Sequence, residues 1–305
     1  MDTTLDIDLS LSRHCREFLI DELIVYIARF LEPSIEVLLR FVSKQWYNSL
    51  WYQSPRHSAS EFVRSISLFQ WAQTTLSMPV IAKTRESAFR HGSVEVIERY
   101  YKRISGDAKD TTNAAQGGNL DVLKWARSQS PPFDWEAGTC SAAAEHGHFE
   151  VLKWLRAQDP PCPWDAFVCI TAAANGHLNM LQWARSQNPS AEWNIKVSVA
   201  AAAHGHLEVL RWLRAQNPPC EWNAEVCSWA AYNGHLHIIH WLRSQNPKCE
   251  WDANLCAAAA ASNHLAVLQW VTLQNPPCPI DERAFNNAKR NGHTQILQWL
   301  GTITQ

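Results

Sequence analysis

Tryptophan recurs along this chain at a fixed interval, and that interval constrains the fold more than any other feature. The step is 29 residues, and two series of tryptophans keep it. The first series is Trp125, Trp154, Trp183, Trp212, Trp241, Trp270 and Trp299, and the second is Trp135, Trp164, Trp193, Trp222 and Trp251. A self-similar period of this length indicates a solenoid, in which each unit buries its apolar face against its neighbours.

Each unit is expected to form two short helices. In the unit that begins at Asp165, a first helix from Ala166 to Asn175 should stop at Gly176, because glycine adopts the left-handed conformation that ends helices. A second helix from His177 to about Gln187 should end before the following proline, which lacks an N–H and restricts the residue before it. Extended connectors would join the units, and the fold class would be all-α.

Helical spacing separates the predicted core from the rest of each unit. Small residues within one narrow arc of the first helix let neighbouring hairpins approach closely. In the unit that begins at Asn223, which is expected to cap the first helix, this arc holds Cys227, Ala230, Ala231 and Gly234. The apolar stripe of the second helix is predicted to consist of Leu236, Ile239 and Leu242, with Trp241 at its edge.

Composition limits the classes of partner. The chain carries 27 Lys+Arg against 29 Asp+Glu, a net charge of -2, so it has no basic footprint for nucleic acid or an anionic membrane. The opening residues do not resemble a secretory signal, and no run of about 18 apolar residues indicates a membrane span. We therefore expect an intracellular protein, cytoplasmic or nuclear, whose nine cysteines are free thiols.

Cysteine and histidine also follow the period, which raises the question of metal binding and catalysis. The cysteines lack the close pairing of zinc sites, and other residues replace them at Ala191 and Ser198. We therefore predict that the cysteines are buried small side chains and that the protein binds neither a metal nor a cofactor. The histidines that follow the repeated glycines, from His148 to His293, occupy the same place in each unit. An active site needs one asymmetric constellation, so a structural role is expected and no enzyme is predicted.

The glycine-histidine segments carry a family resemblance. The stretch AAANGHLNMLQWA at 172–184, with its counterparts at 201–213 and 230–242, resembles the A-A-x-x-G-H-x-x-V-V-x-x-L-L half of the ankyrin repeat. The T-P-L-H turn of that family is absent, and Phe167 to Ile170 stand in its place. The unit has 29 residues rather than about 33, so we expect the β-hairpin finger to be shortened. Trp-rich units of this kind are similar to repeats of large DNA viruses and protists, which would imply a role in the host cytoplasm.

The resemblance implies an ankyrin-like solenoid over 79–305, preceded by a flexible N-terminus at 1–16, a helical module at 17–55 and a helical linker or cap at 56–78. Arg90-His91-Gly92 indicates that the array starts with a divergent unit. The predicted units are 79–106, 107–135, 136–164, 165–193, 194–222, 223–251, 252–280 and the terminal unit 281–305.

Residues 19–50 resemble the F-box, whose pattern runs from L-P-x-E-L to V-[CS]-[KR]-x-W. The matching residues are Leu19, Glu22, Leu23, Ile27, Leu31, Leu38, Val42 and Trp46. Ile20 stands where F-boxes usually carry a proline that helps to dock the Skp-type adaptor of cullin-RING ubiquitin ligases. The resemblance implies that these residues, together with Ile20, bind such an adaptor. The alternative is a helical cap whose leucine pattern is accidental.

A target-binding face is predicted where the units differ. The third, seventh and tenth places of each unit lie opposite the core arc of the first helix and vary freely. The residues predicted to bind are Phe167, Lys196, Glu225, Trp229, Tyr232, Asn254, Arg283, Asn287 and Arg290. Aromatic residues and arginine are the usual anchors of interfaces.

These observations lead to three hypotheses. The first is a substrate-recruiting subunit of a ubiquitin ligase, in which the F-box-like module binds the Skp-type adaptor and the repeats bind an unidentified target protein. The second is a repeat scaffold with no link to a ligase, which the absent proline at Ile20 favours. The third is a reader of single-stranded RNA, which would need a basic groove and whose affinity would fall steeply with salt.

Overall fold

The computed structural model describes residues 82–100 and 106–303. The chain divides into two compact units, and the described residues all belong to the one formed by Ala59–Ile66 and Val80–Gln305. The predicted N-terminus, the F-box-like module and the linker, which together occupy 1–78, lie outside the described residues. The fold below is that of the repeat array.

Sixteen helices and no strand are present in the described ranges, which confirms the all-α prediction. They are α1 (Ala82–His91), α2 (Val94–Tyr100), α3 (Ala108–Gln116), α4 (Leu120–Ser128), α5 (Ala137–Glu145), α6 (Phe149–Arg156), α7 (Ala166–Ala174), α8 (Leu178–Ser186), α9 (Ile195–Ala203), α10 (Leu207–Arg214), α11 (Ala224–Tyr232), α12 (Leu236–Ser244), α13 (Ala253–Ala261), α14 (Leu265–Thr272), α15 (Glu282–Arg290) and α16 (Thr294–Ile303). Among these helices, none combines the length and apolar character that a bilayer span requires.

The helices stack as a series of hairpins. Each odd-numbered helix, here called a first helix, packs against the first helices of the units before and after it. Each even-numbered helix, here called a second helix, packs on the first helix of its own unit. First helices approach closely because their shared faces carry small residues: Cys227, Ala230 and Ala231 of α11 are fully buried, as predicted.

Capping residues place the helix ends where the sequence predicts them. The Asp165 side chain accepts a hydrogen bond from the Phe167 backbone N–H (2.9 Å), and Asn223 caps α11 in the same way. Gly176 follows the end of α7 with φ +70°, the left-handed conformation that the pattern requires. Asn263 stands in the same place of the unit 252–280 and has φ 64°.

The core of the second helices differs from the prediction in one position. Ile238, Ile239 and Leu242 are fully buried, whereas Leu236 is only half-buried. Leu236 is the first residue of α12 and therefore lies at the edge of the packed stripe. Ile238 lies one turn before Leu242, so the two side chains share the inner face of the helix.

The connectors between units are held by stacked arginine and tryptophan side chains. The guanidinium carbon of Arg214 lies 3.8 Å from the centroid of the Trp222 ring, and Trp241 meets Trp222 nearly perpendicularly at a centroid distance of 5.9 Å. The other stacked pairs are Arg127–Trp135, Arg156–Trp164, Arg185–Trp193 and Arg243–Trp251. These tryptophans are half-buried, and the stacks constitute a Trp–Arg ladder along the array.

Candidate functional site

The third, seventh and tenth residues of the units recur along the successive first helices, and we call them together the first-helix face. In the unit that begins at Asn223 these residues are Glu225, Trp229 and Tyr232, and all three are exposed. Trp229 keeps 43% of its surface accessible and Tyr232 keeps 45%. Tryptophan and tyrosine are among the residue types that interfaces use most often as anchors.

Trp229 and Tyr232 are in contact and form an aromatic ridge. Their ring centroids lie 5.7 Å apart at an interplanar angle of 66°, and the Trp229 indole N–H donates to Glu225 Oε1 at 3.3 Å. The equivalent seventh and tenth places on the flanking first helices are Ala200 and Ala203 on one side and Ala258 and Ala261 on the other. The ridge therefore stands above two alanine-lined surfaces.

The remaining predicted residues are divided between free and engaged side chains. Lys196 and Arg290 are exposed. Arg283 donates from Nη1 to Asn254 Oδ1 at 2.6 Å and also bonds Asp281, which holds the pKa of that carboxyl below its usual range. The bond to Asn254 ties the terminal unit to the one before it.

Asn287 departs from the prediction of a solvent-facing residue. Its side chain is half-buried and donates from Nδ2 to the carbonyl oxygen of Ala257 at 3.0 Å. Thr171, at the same seventh place, bonds the Ser141 carbonyl at 3.4 Å. A short polar side chain at this place therefore reaches the preceding first helix, whereas the larger Trp229 extends past it into solvent.

A groove on the first-helix face crosses α3, α5 and α7 and was missed by the sequence analysis. It has a volume of about 380 Å³. Its lining residues are Thr112, Gln116, Gly138, Ser141, Ala142, Glu145, Asp165, Phe167 and Thr171. The sequence does contain an indication of this groove. The third and seventh places of the unit 136–164 hold Gly138 and Ala142, so no large side chain fills the space between α3 and α7. We call it the Gly138 groove.

At the N-terminal end of the described array, polar side chains of the first-helix face are engaged in contacts between helices. Arg90 donates from Nη2 to Asn113 Oδ1 at 3.2 Å and also bonds the Gln116 side chain. Asp110 is buried beside Arg85, whose Nε donates to Asp110 Oδ1 at 2.9 Å. Burial raises the pKa of Asp110, and the hydrogen bond from Arg85 opposes that shift. Polar residues here join α1 to α3 and are not free for a ligand.

The repeated histidines join successive units, in agreement with the predicted structural role. His206 Nε2 lies 2.9 Å from the Ala174 carbonyl oxygen of the preceding first helix. The same contact links His148 to Gln116, His235 to Ala203 and His293 to Ala261. Asn119 replaces the histidine in its unit and donates from Nδ2 to the Gly92 carbonyl at 2.7 Å. Each such contact satisfies a carbonyl group that the end of a helix leaves free.

Burial of His235 should make stability depend on pH. Burial lowers the pKa of His235 below its ordinary value of 6.5, and the hydrogen bond with the Ala203 carbonyl opposes that shift. The neighbouring His237, His204 and His264 lower the pKa further. The unfolded chain then binds protons more strongly than the fold, so the stabilising contribution is complete above pH 6.5 and declines as the pH falls below it. We expect the urea midpoint to fall between pH 7.5 and pH 5.

The control for this prediction is His235→Asn, which copies Asn119 and has no ionisable ring. The decline in the urea midpoint toward acid pH should be smaller in this variant than in the wild type. An identical pH profile in the two proteins would contradict the role assigned to His235.

The cysteines of the described residues are buried, as predicted. All eight are free thiols: Cys140, Cys162, Cys169, Cys220, Cys227, Cys249, Cys256 and Cys278. Burial raises the pKa of the Cys169 thiol to about 12 and raises that of Cys220 as well. Reactive thiolate is therefore scarce at neutral pH.

We expect a thiol reagent to find almost no target in the native protein. Ellman's reagent at pH 8 should titrate at most one thiol rapidly, since only Cys15 lies outside the described residues, and all nine after denaturation. Rapid reaction of two or more thiols in the folded protein would show that the buried cysteines are accessible.

Comparison with known proteins identifies part of this array. The family model of ankyrin repeats (many copies) matches residues 198–243. These residues are ankyrin repeats. The match runs from α9 to α12 and includes both residues of the aromatic ridge. Ankyrin repeats are interaction modules, and solenoids of this type bind through their extended surfaces.

Other comparisons add little to this assignment. No curated protein sequence matches the chain. Two similar solved structures are crystal structures of the pentatricopeptide repeat protein PPR10 in complex with an 18-nt psaJ RNA element. Each has a TM-score of 0.36 and 12% sequence identity, and covers 93% of this chain and 42% of that protein. The chain therefore spans less than half the length of PPR10.

Proposed function

We propose that this chain is a protein-interaction adaptor whose ankyrin repeats bind a target protein through the first-helix face. The observation that carries the proposal is the aromatic ridge, because Trp229 and Tyr232 are exposed, in contact with each other and flanked by small residues. A target that covers the ridge would bury two large aromatic side chains, which are frequent hot spots of binding free energy.

A protein target fits this face better than a nucleic acid. The net charge of -2 offers no general attraction for phosphates. The regularly repeated tryptophans, which could otherwise stack on bases, are engaged within the chain: Arg214 covers Trp222, and Trp241 packs against the same ring. Single-strand recognition by stacking needs open aromatic faces, so the Trp–Arg ladder favours a role in holding the array together.

The test of this face is the removal of the ridge. We expect the variant Trp229→Ala with Tyr232→Ala to lose captured target proteins that the wild type retains in quantitative affinity capture. Removal of two hot-spot residues should weaken binding by about 100-fold, since each contributes about 2 kcal/mol or less when half-exposed.

The control is Leu273→Ala. Leu273 is 83% exposed at the end of α14 and lies away from the first-helix face, so it matches the ridge in apolar character but not in position. Equal capture by the wild type and the ridge variant would count against the first-helix face, and equal loss in the Leu273 variant would indicate non-specific adhesion.

We further propose that the adaptor recruits its target to a cullin-RING ubiquitin ligase through a Skp-type adaptor. Support comes from the sequence of residues 19–50, where Leu19, Glu22, Leu23 and Trp46 match the F-box pattern. Ile20 in place of the usual proline supports the rival proposal, a scaffold or effector with no ligase attached.

A binding titration of the full-length protein against a purified Skp-type adaptor distinguishes the two proposals. We expect saturable binding that is abolished by Leu23→Asp, because a buried carboxylate without a partner is costly in an apolar interface. Trp46→Ala should weaken binding in the same assay. Absence of binding by wild-type protein that is folded would leave the scaffold as the proposed function.

A further inference from the structure

The Gly138 groove has the dimensions of a binding site for part of a peptide. Its volume of about 380 Å³ falls within the range of small-ligand sites, which is about 300–1,000 Å³. The floor is formed by Gly138, Ser141 and Ala142 of α5. Thr112 and Gln116 of α3 form one wall, and Phe167 and Thr171 of α7 form the other.

The charged side chains that line the groove are of one sign, and the neighbouring cation Arg90 is engaged by Gln116. Glu145 and Asp165 contribute to the lining, and neither a lysine nor an arginine does. Glu145 is exposed at the end of α5, and Asp165 is exposed at the start of α7. A third carboxylate, that of Glu136, lies 3.5 Å from the position that a Cβ atom of residue 138 would occupy. The groove therefore has acidic groups at both ends of the helix that forms its floor.

The wall on the α7 side is an open aromatic ring. Phe167 retains 57% of its surface accessible, more than either residue of the aromatic ridge. Within the described array, arginine is placed over aromatic rings repeatedly, at 3.8 Å for Trp222 and 3.9 Å for Trp135. The same attraction between a cation and an aromatic face is available at Phe167 for a cation supplied by a partner.

We propose that the Gly138 groove binds a lysine or arginine side chain from a basic segment of the target protein. The aliphatic stem lies over Gly138 and Ala142, the cationic group packs beside Phe167, and Glu145 or Asp165 supplies the counter-charge. This proposal rests on the proposed function of the first-helix face and specifies the chemistry of the partner at one position on it.

The groove discriminates against other occupants. A phosphorylated or acidic segment would meet three carboxylates at close range, and like charges at an interface cost binding free energy. A purely apolar segment would bury the Glu145 carboxylate without a partner and leave Asp165 only its bond to the Phe167 N–H, which is unfavourable. A basic segment satisfies the carboxylates and covers the ring at once.

The test selects ligands without assuming a target. A phage-displayed library of random linear peptides is selected on full-length wild-type protein, and the binding of the enriched peptides is then measured on variants. We expect enrichment of peptides with lysine or arginine. Their binding should be lost in Gly138→Leu, which fills the groove, and weakened about tenfold in Phe167→Ala.

Gly138 is well suited to this test because a Cβ atom added there does not clash with its surroundings. A Cβ atom at residue 138 would meet only the Glu136 side chain, at ordinary contact distances of 3.5 Å and beyond. Leucine is also a stronger helix former than glycine. The matched control is Gly301→Leu, since Gly301 lies in α16 with nothing within 4 Å of an added Cβ. Peptide binding should be unchanged in this control.

The outcomes separate this proposal from the proposed function. Peptides that bind wild type and Gly138→Leu equally would overturn the site, and groove-dependent peptides without a basic residue would overturn the occupant. Failure to enrich any peptide would also count against it. In each case the capture experiment with the aromatic ridge still decides whether the first-helix face binds a target.

Discussion

Replacing Trp222 by alanine should lower the free energy of unfolding by about 2–4 kcal/mol. The substitution removes the ring on which Arg214 stacks at 3.8 Å and against which Trp241 packs at 5.9 Å between centroids. Arg214 also donates to the Cys220 carbonyl at 3.4 Å, so the connector loses the surface that holds its arginine in place. Urea unfolding followed by circular dichroism measures the change.

Trp229→Ala provides a matched control only seven positions further along the chain. Trp229 lies on the first-helix face and is 43% exposed, so its loss should change the free energy of unfolding by no more than about 0.5 kcal/mol. In a double-mutant cycle, Trp222→Ala and Arg214→Ala should show a coupling of about 1 kcal/mol. Equal destabilisation by the two tryptophan variants would refute the division of tryptophans into structural and binding residues.

Gly234→Ala is expected to cost about 2–4 kcal/mol. Gly234 has φ +74°, a conformation that is unfavourable for a residue with a Cβ atom. The added methyl group would also lie 2.5 Å from Cε1 of His264, the histidine of the next unit. Two costs therefore combine at one position, backbone strain and displacement of a side chain that packs between units.

Two further variants separate these costs. Gly292 has φ +72° but nothing within 4 Å of an added Cβ, so Gly292→Ala should show the strain alone, about 1 kcal/mol. Gly234→Asn should be milder than Gly234→Ala, because Asn263 occupies the equivalent place with φ 64° while His293 still bonds the Ala261 carbonyl at 3.0 Å. If Gly234→Ala and Gly292→Ala were equally destabilised, the contact with His264 would have no energetic role.

Periodicity made most of this fold predictable. Because each unit repeats the same signals, the cap at Asp165, the stop at Gly176 and the buried arc around Cys227 could be inferred from one unit and applied to the others. Leu236 was predicted to be buried because a helical-wheel projection treats every residue of a helix alike. As the first residue of α12, it lies at the edge of the packed face. The F-box-like module lacks this redundancy, and its resemblance remains a prediction.

The candidate site was less predictable than the fold. The places that differ between units predicted that Trp229 and Phe167 are exposed. Differences between units do not identify residues whose role depends on small size, so Gly138 and Ala142 were overlooked. The contact of Asn287 was not predicted, because its amide reaches a carbonyl of the preceding first helix and no single unit encodes a contact between units. The stacking of Arg214 on Trp222 depends on a chain reversal at the connector, which spacing alone does not reveal.

The junctions between units also bear on how such a protein evolves. His148, His206, His235 and His293 each bond the carbonyl at the tenth place of the unit before, so these four junctions use a backbone group and one repeated side chain. A gene duplication or deletion of one whole unit would therefore create a junction with the same contacts as the old ones. Selection can lengthen or shorten the array in this way, while mutation at the third, seventh and tenth places changes what each added unit recognises.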